Sequence, residues 1–435
     1  MNANPVVADP ALEHLFDVDA RIARLGSKIR VLDAIGWPAT MEDQFLTGWR
    51  AGKPELPQPP TQPQSLDAEV AELEALMASI DRGHPIGHFL WKTAWSYRVA
   101  AQMLRGIGTP EFTKCSALLY GRPDTIYRSQ DITAADAAAD MLASTDQLID
   151  ARLLPETPCD IPAEEFAQML RARIDPFFTD DKVEVVLNAD LASKAAAGSK
   201  KITLRATAMF SHLDLEQLVQ HEAFIHTATL LNGKHQPYLR SLGVGAPRTT
   251  RTQEGLATYS EIITGAIDLQ RLRRVALRVV RVTDALEGAD FIDVFNSFLA
   301  EGQSEVESYR SAARVFRGGD VRGRVCFTKD GAYLEGVIQV HLFICKALHD
   351  GRADVLRMLF CGRVTTADVI TLAPFRDSGL IAPARYVAPW ARAPERVLAT
   401  VAFAAATKRY KLDTFELDRF VEYEDEKIAD SGIAC

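Results

Sequence analysis

The spacing of apolar residues predicts a chain built mainly from helices. Leucine, isoleucine and valine recur every three or four positions over residues 11–34, a pattern typical of one buried helical face. The same period appears at 67–81, 88–105, 110–119, 133–150, 214–231, 252–282, 291–313, 331–349, 352–360 and 393–407. The runs VEVVLN and ITLRA, separated by the polar stretch SKAAAGSKK, instead predict two strands and a connection. The predicted fold class is therefore mainly α with a small β-sheet (α+β).

Proline and charge patterns divide the chain into three predicted regions. Residues 51–65 contain five prolines, which interrupt helices and strand ladders and favour an extended connector. We therefore predict an N-terminal helix and Pro-rich connector over 1–66, a helical lobe over 67–160, and a third region over 161–435 that holds the small sheet. The acidic stretch VEYEDEKIAD near the C-terminus is expected to be solvated.

Composition and charge exclude several functional classes. The chain has 435 residues, of which 49 are Lys or Arg and 58 are Asp or Glu, and the net charge of −9 disfavours nucleic acid as a partner. The six cysteines form no CxxC pair, which favours reduced thiols and a cytoplasmic location. The chain start lacks a signal-peptide pattern, and the most apolar segments, 336–348 and 397–406, are too short to cross a membrane. We expect a soluble protein with no membrane partner.

The segment 214–234, DLEQLVQHEAFIHTATLLNGK, carries the strongest chemical signal. It places His221, Glu222 and His226 on one predicted helix. In the common metallopeptidase motif, histidines four residues apart bind one zinc ion beside a glutamate base. Here the interval is five, which separates the two rings by about 140° on a regular helix. A shared metal therefore requires a local π-turn, a distortion that is frequent at functional sites. The alternative is that these residues share a helix by chance.

A third ligand is expected from the next helical segment, TTRTQEGLATYSEIITGAIDL. Zinc accepts a carboxylate oxygen as readily as imidazole nitrogen, and Glu254 lies in the first turn of that segment. The alternative is that Glu254 only complements the dipole at the start of its helix. Glu261, two turns later, is either a hydrogen-bond acceptor for a ligand histidine or a solvated surface residue.

The same segments resemble a known family, the QEGLA-motif proteins. The resemblance covers roughly residues 30–420 and is carried by HExxxH at 221–226, QEGLA at 253–257, LLYGRPD at 118–124, HTATLLNGKHQP at 226–237 and FTKDGAYLEG at 327–336. Bacterial members of this family are described as modulators of flavohaemoglobin expression. Their animal relatives are the microtubule-associated tyrosine carboxypeptidases, zinc enzymes that remove the C-terminal tyrosine of α-tubulin. The resemblance implies a zincin-like metallopeptidase architecture over 161–435 and Zn²⁺ as the cofactor. It gives His221, His226 and Glu254 the ligand roles and Glu222 the catalytic role.

A carboxypeptidase also needs a donor for the oxyanion and a cation for the substrate's terminal carboxylate. Tyr333 is the predicted oxyanion donor, with Tyr259 and His235 as second choices. The predicted carboxylate anchors are Lys329, Arg314 and Arg317, within a basic cluster that also includes Arg310 and Arg322.

Two neighbouring segments complete the prediction for the substrate side. The strand ITLRA, residues 202–206, is expected to offer its edge to an extended peptide. The arginines of the segment LQRLRRVALRVVRV, residues 269–282, are expected to form a solvated basic face paired with nearby acids.

The predicted function is zinc-dependent removal of a C-terminal residue, of which tyrosine is one candidate, from a peptide or protein. Two alternatives stay open: a non-catalytic regulator with a structural or vestigial zinc site, and a zinc hydrolase of a non-peptide amide. The presence of Glu222 favours catalysis, because a purely structural zinc site has no need of a base beside it. Tubulin is not the expected substrate, since the net-acidic chain lacks a basic extension for acidic microtubules.

Overall fold

The computed structural model describes residues 10–60, 62–126, 131–150, 158–191 and 193–407. Helices dominate, as predicted. They are α1 Pro10–Gly26, α2 Val31–Ala34, α3 Thr40–Arg50, α4 Asp67–Ser79, α5 Pro85–Arg105, α6 Pro110–Tyr120, α7 Ala134–Asp150, α8 Ala163–Ile174, α9 His212–Leu218, α10 Ala228–Lys234, α11 Thr250–Ile263, α12 Leu269–Glu287, α13 Phe291–Ala300, α14 Glu305–Phe316, α15 Ala332–His349, α16 Ala353–Met358, α17 Thr366–Leu372, α18 Pro389–Arg392 and α19 Pro394–Thr407. Cys435 and the acidic stretch VEYEDEKIAD lie outside the described residues.

In the part of the chain that the structure describes, five short strands form two small sheets, which confirms the α+β class. They are β1 Ile161–Pro162, β2 Glu184–Asn188, β3 Ala195–Ala197, β4 Lys201–Arg205 and β5 Met209–Phe210. β1 pairs with β5, and β4 lies between a parallel β2 and an antiparallel β3. The expected free edge of ITLRA is therefore wrong, because β4 is hydrogen-bonded on both sides. The missed strand, β3, consists of three alanines inside the stretch that looked like a polar connection.

Three segments predicted as continuous helices are broken near a glycine. One of them, 291–313, becomes α13 and α14, separated by a turn in which Gly302 has a φ of +85°. The segment 11–34 becomes α1 and α2, and at the last residue of α1, Gly26, a side chain would lie 2.2 Å from the Tyr97 ring. The segment 252–282 becomes α11 and α12, separated by a turn in which Gly265 has a φ of +70°. Apolar spacing continues across these breaks, so periodicity alone does not mark them.

The positions of α11 and α15 are set by close packing of two glycines. A side chain at Gly255 would lie 2.2 Å from the carbonyl of Gly336, so only residues without a Cβ allow the two backbones to approach this closely. α11 also packs against the segment that follows α9. This arrangement brings the start of α11 next to the HEAFIH motif.

A core of aromatic side chains packs three further helices together. It joins α3, α13 and α14 through edge-to-face and tilted rings of Phe45, Phe291, Phe295, Tyr309 and Phe316. The same cluster of buried side chains includes residues of α12. Two helices that carry basic residues, α12 and α14, are therefore packed into this core on one side.

The chain divides into two compact units, Met1–Arg392 and Ala393–Cys435. The described part of the second unit is α19, which exposes Leu398 and Phe403. The predicted boundaries at residues 66 and 160 stay predictions. Within the part of the chain that the structure describes, no helix combines the length and apolarity that crossing a bilayer requires.

Candidate metal centre

The HEAFIH motif lies in a π-helical segment, Val219–Thr227, between α9 and α10. The predicted widened turn is confirmed. It brings the two imidazoles to the same side, with ring centroids 4.7 Å apart and ring planes at 90°. Both rings are buried. On a regular helix a five-residue interval would point them in different directions, so the local backbone geometry makes the pair possible.

Glu254 of α11 reaches the same point from the neighbouring helix. Its Oε2 lies 3.6 Å from Nε2 of His221 and 3.4 Å from Nε2 of His226, and one ligand atom from each residue falls within a 4.8 Å group. Two atoms that both lie about 2.0–2.1 Å from a tetrahedral zinc ion are about 3.4 Å apart. Two imidazole nitrogens and one carboxylate oxygen at this spacing fit a zinc site that keeps one position open.

His221 is oriented by a buried acid behind it. Its Nδ1 lies 2.5 Å from Oε1 of Glu261, and the Glu261 carboxylate is held in turn by two contacts of 3.1 Å from Arg271. Glu261 is fully buried, so it is an acceptor for the histidine and not a solvated surface residue. Burial opposes the charged imidazole, but hydrogen bonds to Glu254 and Glu261 raise the pKa of His221 to about 10.

Lys329 contacts the other oxygen of the predicted carboxylate ligand. Its Nζ lies 2.9 Å from Oε1 of Glu254, which leaves Oε2 directed at the histidine pair. Although burial favours the neutral acid, the charge of Lys329 and the hydrogen bonds to both histidines hold the pKa of Glu254 well below its usual range. Lys329 thus helps to keep Glu254 ionised and in one orientation.

Tyr333 lies beside the site within a group of cations. The centre of its ring is 5.1 Å from Nζ of Lys329, and 5.4 Å and 6.0 Å from the guanidinium carbons of Arg278 and Arg314. Arg314 forms a bidentate pair with Asp330 at 2.6 and 2.7 Å. The predicted oxyanion donor and two predicted carboxylate anchors therefore share one region.

The third predicted anchor, Arg317, stacks on Phe327 with its guanidinium carbon 5.2 Å from the ring centre. Burial and the charge of Arg314 lower the pKa of Arg317 to about 10. Two other basic residues named with it lie elsewhere, since Arg310 pairs with Glu42 and Arg322 is exposed beside Asp320.

The expected solvated basic face of 269–282 is wrong. The side chains of Arg271 and Arg278 are only 14% and 15% exposed. Arg271 contacts Glu261 and Arg278 approaches Tyr333, so this side of α12 is directed at the candidate centre. The helical spacing correctly placed the arginines on one side, but it carried no information about which neighbour that side meets.

Of the second-choice oxyanion donors, His235 has a hydrogen-bond partner of its own, whereas the buried hydroxyl of Tyr259 has none among the described residues and only its ring is packed. Tyr259 packs on Trp390 with ring centres 5.4 Å apart, and Nε2 of His235 lies 2.8 Å from the carboxylate of Asp181. His235 lines a different surface cavity of about 530 Å³ with Asp181. Glu222, the predicted base, is partly exposed, and its charge acts on His221 and on Arg363.

Comparison with known families finds one match. A family model described as microtubule-associated tyrosine carboxypeptidase matches residues 43–409. The chain belongs to this family. The matched residues include every predicted site residue and leave α1 outside. No curated protein matches the chain.

One member of the site in this carboxypeptidase-family chain was missed from the sequence. Arg363 donates to Oε1 of Gln253 at 2.8 Å and to the carbonyl of His226 at 3.3 Å, and its Nη1 lies 3.4 Å from Nδ1 of His226. The two histidines therefore differ on the Nδ1 side of the ring. There His221 faces the Glu261 carboxylate, whereas His226 faces the Arg363 guanidinium. Arg363 lies more than 100 residues from both partners along the chain, and no local pattern marks it.

Proposed function

We propose that this protein is a zinc-dependent metallocarboxypeptidase with a zincin-like catalytic region. The observation that carries the proposal is the approach of His221, His226 and Glu254 at distances that suit one tetrahedral ion. The family's name supports peptidase activity at a carboxyl terminus. The π-helical turn supports a functional role for the pair of histidines, because such turns are concentrated at functional sites.

The chemical roles follow from the positions of the side chains. When bound, zinc would polarise a peptide carbonyl and acidify water beside it. Glu222, adjacent to His221 and partly exposed, would accept a proton from the attacking water and deliver it to the departing amine. Tyr333, 8% exposed at the edge of the cationic group, is our choice as the oxyanion donor.

Recognition of a terminal carboxylate is supported by the balance of charge around Tyr333. Asp330 is the carboxylate partner of Arg314 and lies 3.8 Å from Arg278, so one acid serves two guanidinium groups. Burial and the nearby Arg314 charge lower the pKa of Arg278 to about 10, as they do that of Arg317. A buried cation that has too little opposing charge attracts an anion. We therefore add Arg278 to Arg314, Arg317 and Lys329 as a group that can bind the substrate's carboxylate.

An extended substrate would pair with β3 instead of β4. β3 is at the edge of its sheet, and the carbonyl of Gly198, just after β3, accepts a hydrogen bond from Thr227 at the end of the π-helical segment. In an antiparallel pair, alternate residues form hydrogen bonds to the neighbouring strand. The backbone N–H and C=O groups of Ala195 and Ala197 therefore point to the outer side of β3, away from β4. Such an edge can grip a peptide without regard to its sequence.

The test combines metal analysis with peptide hydrolysis. Purified protein is assayed for bound zinc and incubated with peptides that differ only in the last residue, with tyrosine first. We expect about one zinc ion per chain and loss of single C-terminal residues, and we expect a peptide amide, which lacks the carboxylate, to resist cleavage. A Glu222→Gln variant should keep the zinc and lose hydrolysis by a factor of at least ~10².

The alternatives give different results in the same assay. Zinc without any cleavage by wild-type protein would favour a regulatory role. Cleavage of the peptide amide at the wild-type rate would favour a hydrolase that does not read the terminal carboxylate. A Glu254→Ala variant with full zinc content and activity would contradict the ligand set.

A further inference from the structure

The junction between the π-helical segment and α10 carries side-chain hydrogen bonds besides its backbone ones. The backbone N–H of Ala228 donates to the carbonyls of Ala223 and Ile225, and the Thr229 hydroxyl lies 3.3 Å from the carbonyl of His226. At this junction two carbonyls receive side-chain donors: Thr229 Oγ1 lies 2.7 Å from the carbonyl of Ile225, and Arg363 Nη2 lies 3.3 Å from that of His226. Both acceptors belong to HEAFIH.

Arg363 also connects this junction to the helix that carries Glu254. Oε1 of Gln253 accepts from Arg363 Nη1 at 2.8 Å. Thr229 Oγ1 lies 2.9 Å from the same oxygen, but its single proton is shared between this oxygen and the closer carbonyl of Ile225. Gln253 is 98% buried and directly precedes Glu254. One guanidinium therefore links the backbone of the second histidine to the residue beside the carboxylate ligand.

The segment that carries Arg363 is itself held rigidly. Asn232 Nδ2 donates to the carbonyl of Phe360, Gln236 Nε2 donates to that of Cys361, and the Arg363 backbone N–H donates to the carbonyl of Leu242, at 2.8, 2.9 and 2.8 Å. Asn232 and Gln236 are buried. The polar residues of HTATLLNGKHQP thus hold the loop that presents the guanidinium.

Arg363 contacts His226 on the side of the ring that faces away from Glu254. It lies on the Nδ1 side of His226, whereas Nε2 is the nitrogen directed at Glu254. Among the described residues, no carboxylate lies within 4.0 Å of its guanidinium, so the carbonyl and amide oxygens are its partners. An arginine with these contacts affects the positions of the metal ligands and does not act on the reacting atoms.

We propose that Arg363 is a positioning residue that holds the π-turn, His226 and the Gln253–Glu254 corner in the geometry that binds zinc. The proposal rests on the proposed function. It explains the glutamine of QEGLA as the acceptor for Arg363. A His226 ring that binds zinc through Nε2 carries its proton on Nδ1, so it is not a hydrogen-bond partner of Arg363. The effect is expected through the His226 backbone and Gln253, and loss of an outer partner at a metal site typically weakens metal binding by 10- to 100-fold.

The test is zinc affinity measured on the full chain by competition with a chromophoric chelator, with the visible spectrum of the cobalt-substituted protein as a second readout. We expect Arg363→Met to weaken zinc binding by about 10- to 100-fold and to change the cobalt spectrum. Arg363→Lys keeps the charge but cannot donate to two oxygens in the same fork, so its loss should be intermediate. Arg357→Met, on the exposed side of α16, is the matched control and should bind zinc as wild type does.

A second variant covers the case in which Arg363→Met does not fold. Gln253→Met keeps the guanidinium and removes its main acceptor, and the same loss of zinc affinity is expected. Folded Arg363→Met or Gln253→Met protein that binds zinc within twofold of wild type would overturn the positioning role while leaving the proposed function intact. Wild-type protein that binds no zinc would overturn both.

Discussion

Replacing Gly255 by alanine tests whether close packing of α11 on α15 sets the metal geometry. The added Cβ would lie 2.2 Å from the carbonyl carbon and oxygen of Gly336, where ordinary contact begins at 3.4 Å. Both atoms belong to helix backbone, so the clash cannot be relieved by turning a side chain. The two helices must separate locally by roughly 1 Å.

Two effects follow from that separation. Overpacking of this kind costs about 1–3 kcal/mol, and the better helix propensity of alanine returns up to about 1 kcal/mol, so we expect a net loss of about 1–2 kcal/mol. Glu254 is the preceding residue and moves with α11. A displacement of roughly 1 Å exceeds the ~0.2 Å tolerance of metal–ligand distances, so zinc affinity should fall at least tenfold.

Urea unfolding with a chelator present and zinc titration measure these effects separately. Gly245→Ala is the control, because a Cβ there has nothing within 4 Å, and it should change neither quantity. Gly255→Ala protein with wild-type zinc affinity would show that α11 tolerates the shift, and the argument from helix packing to ligand position would be refuted.

Two further predictions concern buried acids. Glu261→Gln should lower the pKa of His221, which is raised to about 10 partly by Glu261. The same change should weaken zinc binding by about 10- to 100-fold. Proton titration by NMR measures the pKa and chelator competition measures the zinc affinity, and an unchanged affinity would contradict the orienting role of Glu261. Asp19 accepts hydrogen bonds from the Ser241 backbone and hydroxyl, and burial raises its pKa from 3.8 to about 6. Because the folded pKa is the higher one, the stability that Asp19 contributes is fully present below pH 3.8 and is lost as pH rises through about 6. The stability difference between wild type and Asp19→Asn should therefore shift against wild type by about 1 kcal/mol between pH 5 and pH 7, and a pH-independent difference in urea unfolding would refute it.

Much of the candidate centre was predictable because its parts are close in the sequence. His221, Glu222 and His226 lie within one turn region, and their five-residue interval required the π-turn that the structure contains. Glu254 lies near the start of the next long helix, and the prediction of its ligand role required only a carboxylate at that position. The α+β class likewise followed from periodicity, which records local burial.

Other features depend on contacts between distant segments, which periodicity does not record. The side of α12 with Arg271 and Arg278 has the same spacing whether it meets solvent or a buried acid, and the sheet order leaves β3, not β4, at the edge. Arg363 reaches His226 across 137 residues, through a loop held by Asn232 and Gln236. Local side-chain spacing thus determines which residues share an element, whereas the packing of those elements determines which charges are buried together and which backbone groups remain open.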